Sequence, residues 1–292
     1  MNVLELVTDA ASQLGAPAPS SLITSGTVET QWKYLLYGVS RELRSSRAFP
    51  QQKRAFSITL SSGRSKYALP IDFYSGLLGT QFDQTNNWEL VGPISDRNWN
   101  YILYGPGTGL NRKMYRIFGH DKNAGAYTSS GQLQIYPTPT ATETISFDYI
   151  SATTILPTPW VASTAFGANS WCTSFGNIYQ TLTAGGTTGT TAPTSDTSEF
   201  DGGITWTRIY TARETIVANT DLSIFDDDVM IEGLKYKWKA SKNMDYSLEK
   251  MLFEKMMDTA RSRWVGNYIG RMDRGVGSNI SAYTVATGGW TF

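Results

Sequence analysis

The run DDDVMIEGLKYKWKASKNMDYSLEKMLFEKMMDTARSRW, residues 226–264, decides the fold. It is the longest stretch with helical periodicity, and it holds no proline. Asp226, Asp227 and Asp228 open it, where carboxylates cap free N–H groups and complement the positive end of a helix dipole. Val229, Ile231, Leu234 and Trp238 recur at spacings of two to four residues. After a polar break at residues 241–243, Leu248, Met251, Leu252, Lys255 and Met256 carry the pattern on. Arg261 and Arg263 close the run, as the negative helix terminus prefers. The stretch reads as two helices joined by a kink near Asn243, or as one bent helix. Its apolar stripe needs another helix to cover it.

The partner lies at the other end of the chain. Val28, Trp32, Leu35, Leu36, Val39 and Leu43 define a strong amphipathic helix, with Arg44 and Arg47 at its end. Before it, Val3, Leu6, Val7, Ala10 and Leu14 mark a shorter one. Asn2 and Glu5 have the spacing of a capping box there, and Gly15 and Pro17 stop it. Packing of Trp32, Leu36 and Val39 against Leu234 and Trp238 would make residues 1–52 and 213–266 one helical domain, with the middle of the chain an excursion from it.

That middle changes period. Phe56, Ile58 and Leu60 alternate, as do Tyr67 and Leu69; IDFYSGLLGTQFD reads as a further strand after a turn. Trp88–Leu90 is a short extended piece. Ser95 caps a short predicted helix in which Trp99, Ile102 and Leu103 face inward. KMYRIF (113–118), QLQIY (132–136) and TISFDYI (144–150) complete an antiparallel sheet or small barrel over residues 53–156. Residues 157–212 shift to Thr, Gly, Ser and Ala, with strand-like NIYQTLT and GITWTRI. A shift so bounded reads as an inserted small β module, since fifty structureless residues are rare inside a compact protein. From residue 267 helical periodicity is gone, glycine recurs and aromatics stand singly. An extended arm over 267–292, docking on a partner through Tyr268, Ile269, Tyr283, Trp290 and Phe292, is expected. The fold class is therefore α+β: a helical bundle from the two chain ends, an antiparallel β domain, and an inserted small β module.

Composition narrows the chemistry. The 292 residues carry 25 Lys plus Arg and 25 Asp plus Glu, a net charge of zero. That argues against broad electrostatic binding to nucleic acid or anionic membranes. Only 17% of residues are charged while 13% are aromatic, as in a protein that hides much surface against partners, or in a β-rich fold with an aromatic core. One cysteine, Cys172, excludes an intrachain disulfide, and one histidine, His120, excludes a multi-His metal site. No apolar run is long enough for a membrane span, and MNVLEL lacks the basic and apolar blocks of a secretion signal. The glycine-rich GPGTG at 105–109 lacks the Lys and Ser/Thr of a phosphate-cradling loop. His120 has no serine or cysteine motif beside it, and Asp226–Asp228 lack the alternating ligand pattern of a calcium loop. No enzyme constellation, cofactor or metal site is expected.

The order of YALPIDFYSG, WELVGPISDRNW, YRIFGHD and LQIYPTPTATETISFDYIS, with the closing GLKYKWKASKNMDYSLEKMLFEKMMDTAR, is similar to phage head-to-tail adaptor proteins that dock under the portal. The resemblance covers residues 1–156 and 213–292 and leaves out the insertion. It implies a virion structural protein at the head–tail interface, assembled in the host cytoplasm, that forms a dodecameric ring. Its partners would be further copies of itself, the portal protein, and a tail nozzle or tail tube protein, with DNA passing through during genome ejection without sequence recognition. No membrane is implied. The arm would reach the portal, and the paired helices would build the ring. The inserted module resembles small carbohydrate-binding β modules, which implies sugar stacking on Trp171, Tyr179 and Trp206; the alternative is that these rings form the core of the module. A glycan-binding virion component thus stands beside the adaptor reading.

Overall fold

A computed structural model describes residues 1–46, 49–104, 112–118, 131–181, 185–195, 198–209 and 213–264. Its helices are α1 (Val3–Leu14), α2 (Thr27–Ser46), α3 (Asp96–Tyr104), α4 (Asp227–Ser241) and α5 (Ser247–Trp264). The expected capping box is present at α1: Asn2 Oδ1 accepts from the Glu5 amide at 2.8 Å, and Glu5 accepts from the Asn2 amide at 2.9 Å. Gly15 ends that helix with φ 62°, a left-handed conformation open to glycine at little cost. The run 226–264 forms two helices. Asp226 caps the first, accepting from the Asp228 amide, and Asn243 turns the chain between them with φ 54°.

The first β region contains β1 (Lys53–Leu60), β2 (Lys66–Ala68), β3 (Phe73–Gly76), β4 (Phe82–Asp83), β5 (Trp88–Glu89), β6 (Met114–Phe118), β7 (Gln132–Tyr136), β8 (Glu143–Ser151) and β9 (Ile155–Leu156). The region from 157 on adds β10 (Ala165–Phe166), β11 (Trp171–Ser174), β12 (Asn177–Thr181), β13 (Gly186–Thr187), β14 (Ser198–Asp201), β15 (Ile204–Ile209) and finally β16 (Leu222–Ser223). Every strand pairing is antiparallel among the described residues. The fold is a mixed α+β one.

β8 is the spine of the first region. It pairs with β1 from Lys53↔Ile150 to Leu60↔Glu143 and carries β3 and β4 on its other side. A second sheet, β2-β7-β6, lines the same core, in which Ile58, Leu60, Tyr67, Phe73, Leu133, Ile135, Phe147 and Tyr149 are buried together. Two sheets rather than one therefore share this core. The single strand expected over IDFYSGLLGTQFD is two short ones, because Gly79 turns the backbone with φ 77° between β3 and β4.

The larger core draws on both ends of the sequence. Val3, Leu6 and Val7 of α1, Trp32, Leu36, Val39 and Leu43 of α2, Val229, Met230 and Leu234 of α4, and Phe253 and Ala260 of α5 are buried in one cluster. The Trp32 and Trp238 rings stack at 6.4 Å. Full burial of each large side chain is worth about 1.5–3 kcal/mol. Gly233 permits the close helix approach: a Cβ there would lie 2.6 Å from Val39 Cγ1 and 2.9 Å from Phe253 Cε2.

The strands between residues 157 and 209 leave and return at one place. The Arg213 carbonyl accepts from the amides of Thr154 at 3.0 Å and Ile155 at 3.2 Å, and β16 pairs with β9. The sheet β11-β12-β15-β14 has two unlike faces because strand side chains alternate. Trp171, Ile178 and Ile209 pack on the helical core, while Cys172, Tyr179, Ile204 and Trp206 form a small core of their own.

Candidate functional site

The helical region offers an uncovered apolar surface. Leu248 and Met251, expected in the inward stripe of α5, are each 58% exposed. Phe253, Met256, Met257 and Ala260 face the core instead, because the Phe253 ring docks against Gly233 and sets the rotation of the helix. With Met244 and Tyr246 in the preceding turn, Leu248 and Met251 make a run of exposed large apolar side chains. The turn itself is fixed: Tyr236 contacts the Tyr246 ring at 5.8 Å, and Lys239 of α4 is ion-paired with Glu249 of α5. A rigid apolar surface of this kind is what a protein interface covers. Trp32, Leu36, Val39, Leu234 and Trp238, named from sequence as packing residues, all lie in or against the core within this one chain.

The three module aromatics divide. Tyr179 and Trp206 are fully buried, so their faces are closed to a sugar; this corrects the expectation for both. Phe166 packs edge-on against the Trp206 ring at 5.1 Å, and Asp201 accepts from the indole N–H groups of Trp160 at 3.0 Å and Trp206 at 3.4 Å. Asp201 also accepts from the Gly189 amide at 2.7 Å, which ties the β13 end to this core. Cys172 is buried in the same core, and burial, with Asp201 nearby, pushes its thiol up to about 12, so it stays unreactive.

Trp171 is only half-buried, and it borders a cavity of about 520 Å³ where the module meets the segment returning to the body. Pro157, Pro159, Val161, Phe166 and Arg213 also line it. Arg213 Nη2 donates to Asp221 Oδ2 at 2.7 Å, and the same oxygen accepts from the amides of Val217 at 2.8 Å and Ala218 at 3.0 Å. The Arg213 guanidinium lies 5.6 Å from the Trp171 ring centroid, within cation–π range. Reading the sequence missed Arg213 and Asp221. They sit eight residues apart in irregular chain, where no periodicity flags them; only the return of the chain from the preceding strands brings them onto Trp171.

Two further polar clusters join strands. Asp72 is buried and accepts from Tyr149 Oη at 2.8 Å and Ser151 Oγ at 2.6 Å. Burial raises its carboxyl above the usual range despite those bonds and the nearby charge of Arg54. Burial likewise lowers the pKa of Arg54, whose guanidinium faces Gly176 of the module. Elsewhere Lys113 pairs with Asp83 at 3.3 Å and with Glu143, so a side-chain ammonium already bridges those carboxylates. The opening aspartates act at the start of α4 as expected, Asp226 as its cap and Asp227 and Asp228 in its first turn.

Tyr268, Ile269, Tyr283, Trp290 and Phe292 of the expected arm, together with His120 and the 105–109 loop, lie outside the described residues. Among the described residues no helix is long and apolar enough to cross a membrane. A family model described as SU10 adaptor protein matches residues 1–187, more than half of the 292. The matched span runs past residue 156 and takes in the first strands of the module, which the resemblance read from sequence had left out. No curated protein matches the chain.

Proposed function

This chain belongs to the SU10 adaptor protein family, phage structural adaptors, and from that premise we propose that it forms a closed ring between portal and tail through which DNA passes. The observation that carries the ring is the exposed apolar surface of Met244, Tyr246, Leu248 and Met251, spread over α5 and the turn before it, with the other face of α5 locked into the core. A neighbouring copy is the natural cover for it, and repetition of one heterologous contact around an axis closes a ring. Twelve copies is the stoichiometry the resemblance implies. Net neutrality suits the channel, since a strongly basic lumen would hold backbone phosphates. The arm with Tyr268, Ile269, Tyr283, Trp290 and Phe292 is the proposed portal contact, and the opposite end of the ring receives the tail nozzle or tube.

Leu248→Asp combined with Met251→Asp tests the ring. Both side chains are exposed, so the variant should keep its melting temperature while native mass spectrometry shows monomer in place of ring. Rings that persist in the variant would remove this surface from the interface. A wild type that stays monomeric with and without portal would remove the ring itself.

The module supports a second reading, as a glycan-binding element carried on the virion. Its support is the half-buried Trp171 ring beside the 520 Å³ cavity. Tyr179 and Trp206 have no part in it, being internal. Trp171→Ala should abolish glycan binding and leave ring assembly intact.

A further inference from the structure

We infer that the cavity beside Trp171 is the socket for the α5 patch of a neighbouring copy, so that each contact in the ring runs head to tail. This rests on the ring reading and names the surface on the other side of that contact.

The patch and the cavity are alike in chemistry and opposite in shape. Met244, Tyr246, Leu248 and Met251 are 48%, 39%, 58% and 58% exposed at the tip of the α4–α5 hairpin. The cavity is concave, with Pro159, Val161, Phe166, Trp171 and Val217 among its walls. Val161 and Val217 are themselves exposed, so apolar surface stands open on this side too. The two charged residues among its described lining, Arg213 and Asp221, are buried and paired with each other at 2.7 Å. An apolar side chain that enters therefore strands no exposed charge. Four large side chains about half exposed present on the order of 400 Å² of apolar surface, close to the roughly 450 Å² that is one partner's apolar share of a standard interface.

The two surfaces lie at opposite ends of α4. The Val3 amide donates to the Asp221 carbonyl at 2.8 Å, and the Met1 ammonium pairs with Asp227 at 2.7 Å. The cavity wall at Asp221 is thus held beside the start of α4. Met244 and Tyr246 follow the other end of this 15-residue helix, ~22 Å away along its axis. The patch of one copy does not reach its own cavity across that distance. A patch-to-patch contact would stop at two copies and leave the cavity open. A patch-to-cavity contact repeats from copy to copy, as a ring requires.

Two variants, alone and mixed, test this by native mass spectrometry. Leu248→Asp with Met251→Asp lacks the patch; Val161→Asp with Val217→Asp lacks the apolar walls of the cavity. All four positions are exposed, so both variants should keep the wild-type melting temperature. Each alone should be monomeric. Mixed one to one at about 100 μM, they should give a heterodimer and nothing larger, because one sound patch meets one sound cavity. A mixture that stays monomeric while wild type forms rings would overturn the pairing. Rings from the cavity variant would overturn it too, and leave the ring reading standing. A wild type monomeric with and without portal would remove the ring reading, and the pairing with it. Should the cavity variant unfold, Val217→Cys with Met251→Cys in one chain takes its place. Cys172 is buried, and a bond within one copy is out of reach, so oxidation should link copies into covalent chains up to ring size. Oxidised protein that runs as a monomer would overturn the pairing. So would rings that still take up glycan at Trp171, since a filled cavity is closed to a sugar.

Discussion

The helical core and the module core are built from opposite materials. The first gathers α1, α2, α4 and α5 from the two far ends of the described chain around some of its largest apolar side chains. The second rests on Cys172, Tyr179, Ile204 and Trp206, with Trp160 and Phe166 against them. The first is by far the larger cluster of buried side chains. The second is small and leans on the first through Trp171, Ile178 and Ile209. The dependence is one-sided, and it predicts how damage should spread: outward from the helices into the module, but not back.

Trp32→Ala should produce the largest loss. It removes a fully buried ring and the stack on Trp238, a change of about 3–5 kcal/mol. Thermal unfolding followed by circular dichroism should show a single transition moved down, with the module melting alongside the helices. A module that stays folded after the helices melt would break the claimed dependence.

Trp206→Ala should cost the module about as much locally, about 3–5 kcal/mol, yet less to the whole molecule. It empties the centre of the small core and removes one donor to the buried Asp201. Amide hydrogen exchange should rise across β11, β12, β14 and β15, while α1, α2 and α4 keep their protection. Loss of protection in α2 would mean that the two cores form one cooperative unit.

The same contrast explains what could be read from sequence. The α1 capping box, the α2 stripe and the break near Asn243 were legible because caps, period and turn chemistry are local. The inward face of α5 was not. Leu248 and Met251 fit helical spacing as well as Phe253 and Met257 do, and only the groove at Gly233 decides between them. In the module, alternation separates Trp171 from Cys172 and Ile178 from Tyr179, but sequence does not say which face meets the body. That is why alternation alone leaves both a sugar platform and a small core open for Tyr179 and Trp206, and burial selects the core. Arg213 and Asp221 carry no local signal at all, since their pairing depends on where the chain returns from the strands before them.

The smallest effect is expected where module and body meet through charge. Asp72 has a carboxyl raised by burial, so the folded protein binds that proton more tightly than the unfolded chain does. Stability from this group therefore rises as pH falls through its folded pKa, and the gain is complete below the ordinary carboxylate value near 3.9. Above the raised value the ionised form is a burden on the fold. Asp72→Asn places a neutral group of the same shape there, keeping an oxygen for the Tyr149 hydroxyl, turning an amide N–H toward the Ser151 hydroxyl oxygen and losing the attraction to Arg54. At neutral pH the variant should lie within about 1 kcal/mol of wild type, since one charge-assisted contact is lost as one burial penalty is relieved. Relative to the variant, wild type should gain stability on acidification from pH 7 toward pH 4, as read from urea unfolding at each pH. Asp83 works in the opposite sense: burial opposes its charge, but hydrogen bonds from Asn86 and Lys113 outweigh it and lower its pKa, so its contribution fades as acid protonates it. Because Asp83 is present in both proteins, it cancels in the difference, and a difference that is flat with pH would mean that Asp72 is not the strained charge at this seam.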